Sequence, residues 1–396
     1  MTIKNAHIAA ELSQRLITDA QSLVEELRSR SNEIDSARHL PQDIAERMAG
    51  FGFYRLVTPE ALGGMGASPR MLCEVCEILA TGNGSAAWCV FIGSTSQYLF
   101  GALPEPQLKT MLNNPNVITS GVFADSGTAL YSERDGQPGF LINGHWRFGS
   151  GCQNAEWISG GIHEIDSVGA PVRRDAPLSR VFFRPDEIDF LDNWHVAGLK
   201  GTGSCDYTAR DVWVPSERMS TTIDFTDWKH HPIYQFPRFG LLSIPCGAIA
   251  LGMARATLDE ILSLASEKTP TGSRRTLAQR ATLHRDVAVQ EVALRAAKSL
   301  FYETIDQAWS LAETEVEPLE QRRRLRTATI HAGTTAAQVI DRLYTVAGGT
   351  SIYATSCLQQ HFRDVHVVSQ HMMMGESVME LAGRVLLGLD DAAPGL

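Results

Sequence analysis

The chain has no uninterrupted apolar run of the roughly 18 residues that a transmembrane helix needs, which argues against a membrane span. It also lacks positive charge. Its 35 Lys and Arg stand against 45 Asp and Glu, a formal net charge of -10. No basic tract interleaved with aromatics breaks that balance, so nucleic acid is excluded as the main partner. The N-terminus, MTIKNAHIAAELSQRL, lacks the charged-then-apolar layout of a secretory signal. There is no regular cysteine framework. Seven cysteines at odd spacings read as reduced thiols, and the expectation is a cytoplasmic protein. Cys73-Glu-Val-Cys76 has the spacing of a redox or metal motif. It falls inside the helical run Met71–Leu79 without a second cysteine pair, and it reads as two ordinary helix residues. No glycine fingerprint for a dinucleotide lies between a strand and a helix.

What is present is a long chain with three textures. Its 396 residues, 44% hydrophobic, suffice for about two or three domains. Leu12, Leu16, Ala20, Leu23, Val24 and Leu27 recur at helical spacing. Pro41 opens a second helix, a position where its missing N–H costs nothing. Near residue 117 the pattern turns to short apolar segments, such as Trp157–Ile162 and Ser179–Phe183, punctuated by Gly, Asn, Asp and Pro. From about residue 237 long helical stretches return. The expected division is a helical domain at 1–116, a β-barrel domain at 117–232 and a four-helix bundle at 233–396.

Four blocks carry candidate chemistry. In the first, Ile142 to Trp157, Asn143-Gly144 reads as a hairpin turn. The strand after it ends in Ser150-Gly151, where backbone N–H groups and a hydroxyl can face a planar ligand. The same block also reads as a plain hairpin with Trp146 in a core. The second, Trp194 to Tyr207, concentrates small residues at Gly201–Ser204; it lets a backbone approach a ligand closely, or makes a tight turn. The third, Ala347-Gly348-Gly349-Thr350-Ser351, reads as a phosphate cradle, as a helix cap by Gly348, or as both. The fourth is Arg363-Asp364-Val365-His366, followed by Gln370-His371-Met372-Met373-Met374. His366 and His371 are five apart, about 140° round a helix, which is wrong for a zinc-binding pair. No metal is expected.

In order and spacing, the four blocks resemble the acyl-CoA dehydrogenase superfamily over essentially the whole chain. W-x-F-x-S-G-C at Trp146–Cys152, G-x-x-G-T-G-S at Gly198–Ser204 and R-D-V-H-x-x-x-Q-H at Arg363–His371 resemble its flavin-dependent monooxygenase branch. That resemblance implies an α+β fold: N-terminal helices, a middle β-barrel and a C-terminal four-helix bundle, assembled as a homotetramer. It implies reduced flavin (FADH2 or FMNH2) and O2 as reactants, with an NAD(P)H-dependent flavin reductase as partner, because the chain has no nicotinamide site of its own. The reaction implied is hydroxylation or epoxidation of a small aromatic substrate.

The resemblance also assigns residues. His371 would face the reactive edge of the flavin, and Ser150 would bond near its N5. Trp146, Gly151, Arg274, Gly348, Gly349, Thr350 and Ser351 would bind cofactor. Arg275 and Arg280 are rival candidates for its phosphate. Trp88, Ser96, Met372 and Met373 would line the substrate pocket, though a methionine run also suits a core. The dehydrogenases need a glutamate base. Its place after the Arg-Asp segment is held by Met372, and Phe236–Gly247, the other place for it, holds no acid. Several phenol hydroxylases of the branch carry a histidine where Ser96 stands, so a neutral ring such as indole is favoured over a phenol. The alternatives are an acyl-CoA dehydrogenase or flavin oxidase with an unusual base, and a non-enzymatic remnant of the fold.

Overall fold

Leu16, Ala20, Leu23 and Leu27 are all buried, so their spacing lays one apolar stripe along α1 (Ile3–Ser29). The computed structural model describes residues 3–172, 179–220, 228, 230–314 and 318–396. Short helices α2 (Ser31–Ala37) and α3 (Gln42–Gly50) lead to α4 (Pro69–Ala80). Ser68 caps α4 by accepting from the Met71 N–H, and Cys73 and Cys76 are buried helix residues, as their context implied. Asn83 caps α5 (Gly84–Leu99), which is buried almost all round, as a central helix must be. Helix α6 (Glu105–Met111) ends this part.

The strands are β1 (Thr119–Arg134), β2 (Gln137–Trp146), β3 (Trp157–Ile165), β4 (Ser179–Phe183), β5 (Asp189–Phe190), β6 (Tyr207–Pro215) and β7 (Met219–Ser220). They form one mixed sheet in the order β5-β6-β2-β1-β3-β4-β7, with β1 and β3 parallel. Its edges are the two-residue strands β5 and β7, so among the described residues hydrogen bonds do not close it into a full barrel. It is nevertheless curled. The Trp146 ring on β2 stacks on Tyr207 of β6, meets Phe183 of β4, and crowds Gly127 of β1 and Gly160 of β3. Five neighbouring strands of a flat sheet span about 19 Å, beyond the reach of one indole.

The hairpin turn is not at Asn143-Gly144, which lies inside β2. It is at Asp135-Gly136, whose φ values of 54° and 77° suit the tight primed turn between β1 and β2. The Asn143 side chain instead holds the irregular β6, exchanging bonds of 2.9 and 3.0 Å with Asp211.

The C-terminal part contains α7 (Pro232–Gln235), α8 (Arg238–Leu241), α9 (Ile244–Glu267), α10 (Ala281–Ala312), α11 (Leu319–Ala347), α12 (Cys357–Ser369) and α13 (Glu376–Leu386). Helix α9 packs on α10, α11 and α12 and also on α4 and α5, which fuses the bundle to the N-terminal helices. Arg238–Glu267 is long and apolar enough to cross a membrane, but 94% of its apolar window is buried inside the fold, as in a core helix.

Candidate active site

Three parts of the chain meet around Trp88 of α5. Its indole N–H donates to the Ser150 hydroxyl at 3.2 Å, just beyond β2. Its ring meets His371, just beyond α12, edge to face at 5.3 Å. Phe91, one turn further along α5, meets the same histidine at 6.3 Å.

Ser150 heads a chain of hydroxyls. Thr202 gives its proton to the Leu199 carbonyl at 2.8 Å, so it accepts from Ser204 at 2.6 Å. Ser204 then accepts from Ser150, also at 2.6 Å. The Ser150 proton is therefore directed inward unless a ligand turns it outward. The expected backbone donors are taken, however. The Ser150 N–H bonds the Phe148 carbonyl at 2.9 Å and the Gly151 N–H bonds the Thr202 carbonyl at 2.8 Å. Of this turn, the hydroxyl alone stays adjustable toward a ligand.

His371 caps the turn Met372–Met374. Its Nδ1 accepts from the Met373 N–H at 3.4 Å, which puts the ring proton on Nε2. Burial, with help from the Arg326 charge, pushes its pKa down to about 4. At neutral pH it is an uncharged donor walled by aromatic rings. The groups that touch or bias it are Trp88, Phe91, Cys246, Met373 and Arg326, with no carboxylate among them.

Two motifs prove to be one unit. Asp364 of α12 accepts from the Leu199 N–H at 2.6 Å, and Arg363 donates to the Ala197 carbonyl. Gly198 packs so closely on the Arg363 carbonyl that a Cβ would sit 2.4 Å from it. The Arg-Asp pair thus fixes the loop that carries Thr202 and Ser204. The second carboxylate oxygen of Asp364 is buried without a partner, and burial raises its pKa to about 7.

Close to Ser150 stands an exposed aromatic ring, that of Phe148, whose ring partner is Trp194 at 6.3 Å. It lies two residues before Ser150, has a positive φ of 66° and leaves its side chain 66% exposed. A bulky residue in the left-handed region is strained and persists where a site needs it. This exposed ring, the adjustable hydroxyl and the neutral donor together suit a flavin ring.

The comparisons agree with that geometry. Models of the acyl-CoA dehydrogenase N-terminal and C-terminal domains match residues 13–103 and 244–376. An indole-3-acetate monooxygenase of Acinetobacter baumannii is 32% identical over 390 residues, covering 96% of each chain. The chain belongs to the acyl-CoA dehydrogenase family. A FADH2-dependent resorcinol hydroxylase oxygenase component of a Rhizobium species is 26% identical over 397 residues, covering 95% of each chain. Among solved structures, XiaF from a Streptomyces species, in complex with FADH2 and glycerol, superposes with a TM-score of 0.90. At 22% identity, it covers 99% of this chain and all of its own.

Not every family position falls where the sequence put it. Trp146 cannot be the wall of a flavin site: it is wholly buried in the curled sheet, its N–H spent on the Gly161 carbonyl at 2.8 Å. The turn capped by His371 leaves Met372 70% exposed in the single chain. Met373 and Ser96 are buried, at 5% and 4% exposure, Ser96 two turns beyond Trp88 on α5.

The phosphate-end candidates form a second group. Gly348 caps α11 with a φ of 57°, and Ser351 turns its hydroxyl back to the Gly348 carbonyl at 2.7 Å. Gly349 and Thr350 complete the turn. Lys268, which the sequence reading passed over, donates to the Ala347 carbonyl and the Thr350 hydroxyl. The Lys268 carbonyl also closes the loop that exposes Arg274 and Arg275, by accepting from the Leu277 N–H at 2.9 Å. Lys268 therefore joins the glycine turn to the arginine loop. Among the described residues, no hydrogen bond or ring contact joins this group to the one around Ser150 and His371. No cluster of three metal-ligating side chains occurs among the described residues, and His366 bonds Asp341 at 2.9 Å.

Proposed function

We propose that this chain is the oxygenase component of a two-component flavin-dependent monooxygenase acting on an aromatic or heteroaromatic ring. The observation that carries the reading is His371: an uncharged Nε2–H donor beside Trp88, with no carboxylate base in contact among the described residues. Desaturation of an acyl chain needs such a base, whereas oxygen transfer is helped by a hydrogen-bond donor and a dry pocket. Reduced flavin plus O2 plus the arene would give oxidised flavin, water and the hydroxylated or epoxidised arene. The flavin supplies the electrons that activate oxygen.

The residues of the chain do the rest. Phe148 would flank the ring plane, and the Ser150 hydroxyl would bond to the flavin's polar edge. His371 would offer its Nε2–H as a hydrogen bond to the oxygen being transferred, and Trp88, Phe91 and Met373 would keep water out. Gly348, Gly349, Thr350, Lys268 and Arg274 would hold the phosphate end of FADH2 or FMNH2. The indole-3-acetate relative and Ser96 in place of a histidine both favour an indole-like ring over a phenol.

The chain has no nicotinamide fingerprint, so a separate NAD(P)H-dependent reductase supplies the reduced flavin, in line with the oxygenase-component name of the resorcinol relative. Seven free cysteines suit the cytoplasm. The test is reconstitution. Purified chain with NADH, oxidised flavin and indole should give no product, and adding chemically reduced flavin in air should give oxygenated indole. Product from NADH without a reductase would refute the two-component reading.

A homotetramer belongs to the same proposal. Val289, Val292 and Leu300 stand 47–56% exposed on one long bundle helix, α10, the kind of surface that self-association covers. Light scattering should return four chain masses; a monomer would refute it.

A further inference from the structure

We propose that Arg326 is the anchor for a carboxylate on the substrate, which makes the substrate an aromatic acid whose charge sits on a short arm beside the ring. The proposal rests on the monooxygenase reading for the reaction but not for the binding. Arg326 lies on α11, 1% exposed. Among the described residues its one hydrogen bond runs from Nη1 to the neutral Phe239 carbonyl, at 3.4 Å, and its Nε has no partner. The partly exposed arginines Arg70, Arg255, Arg342 and Arg363 each reach a carboxylate. Arg326, more deeply buried than any of them, has no carboxylate partner among the described residues. A buried cation without a counter-ion is costly, and the cost falls when an anion arrives with a ligand.

The surroundings say where that ligand would sit. Arg326 acts electrostatically on His371 and Cys246, so it borders the proposed site of oxygen transfer. Phe239, whose carbonyl it holds, meets Phe123 edge to face at 6.1 Å. Phe239 also lines an open cleft of about 200 Å³ shared with Tyr98, Tyr234, Arg238 and Arg322, one turn from Arg326 on α11. Aromatic walls and guanidinium groups thus line a surface cleft that adjoins Arg326 through Phe239 and Arg322. A planar guanidinium fork matches a carboxylate with two parallel bonds, which fixes the ring relative to His371 as well as binding it.

The experiment compares indole-3-acetate with indole-3-acetamide, which share ring and arm and differ in charge. Affinity is read by calorimetry on the enzyme saturated with oxidised FAD, and kcat/KM by turnover with reduced flavin. The wild type should prefer the acid by about 10- to 100-fold, the scale of a hydrogen-bonded charge. Arg326→Met should bring the acid-to-amide ratio close to one, whatever its absolute rate, and Arg326→Lys should keep part of it. If Arg326→Met fails to fold, the wild-type ratio and the lysine variant still decide. Equal affinities in the wild type, no binding of the acid, or a preference that survives Arg326→Met would overturn the anchor. Acid bound through Arg326 yet never oxygenated would instead sink the monooxygenase reading and leave the anchor standing.

Discussion

Replacing His371 by alanine should lower the yield of oxygenated product by about 10²- to 10³-fold, the range of one lost hydrogen-bond donor to developing charge, while flavin reoxidation continues. The lost electrons should appear as hydrogen peroxide. The titratable neighbour Cys246 is buried with its thiol pKa pushed up to about 12, so it does not take over the role of His371. Because burial holds its pKa near 4, the wild-type pH profile of kcat should be flat around 6.5, where an ordinary histidine titrates. An inflection there, or a variant that keeps its product yield, would remove His371 from this role.

The same shift has a stability consequence. Between about pH 6.5 and 4 the unfolded chain binds a proton that folded His371 does not, so His371 lowers stability as pH falls through that window. His361, also held near 4 by burial, acts in the same direction. Asp364 opposes them. Its folded pKa is near 7 against an ordinary 3.8, so it lowers stability as pH rises between those values.

Trp146→Ala should cost about 3–5 kcal/mol in a denaturant or thermal melt, the range for an aromatic removed from a core. The ring is fully buried, and Gly127, Gly144 and Gly160 exist without side chains because the indole fills their space. Glycines have nothing to refill the cavity, so little relaxation offsets the loss. The stacked Tyr207 and the Gly161 carbonyl would lose their contacts as well. A loss below about 1 kcal/mol would mean that the sheet does not close on this ring.

The family and the order of helices and strands were legible in the sequence, because motif spacing carries them, as was the grouping of Ser150 and His371, which the fold brings together around Trp88. The identity of the exposed ring beside Ser150 was not. Trp146 and Phe148 are two residues apart on an extended chain, and which of them faces the core depends on how the sheet curls. Phe148 had one signal, a large apolar residue beside Gly149-Ser150-Gly151. Asn143-Gly144 looked like a turn because local preference names turn residues, but strand pairing decides which are used, and Asp135-Gly136 was. Met372 and Met373 read alike until the His371 cap turned one outward and the other in. Lys268 gave no signal, since a lysine near a helix end is ordinary until the glycine turn folds onto it.

The most direct test of the oxygenase account is a single turnover under labelled oxygen. Enzyme carrying anaerobically reduced FAD and indole-3-acetate is mixed with buffer saturated in ¹⁸O₂, and the products are read by mass spectrometry. The account predicts one ¹⁸O atom in the oxygenated ring and the other in water. An unlabelled ring with the label recovered as hydrogen peroxide, together with bleaching of oxidised flavin by an acyl-CoA, would contradict it and favour a dehydrogenase or oxidase.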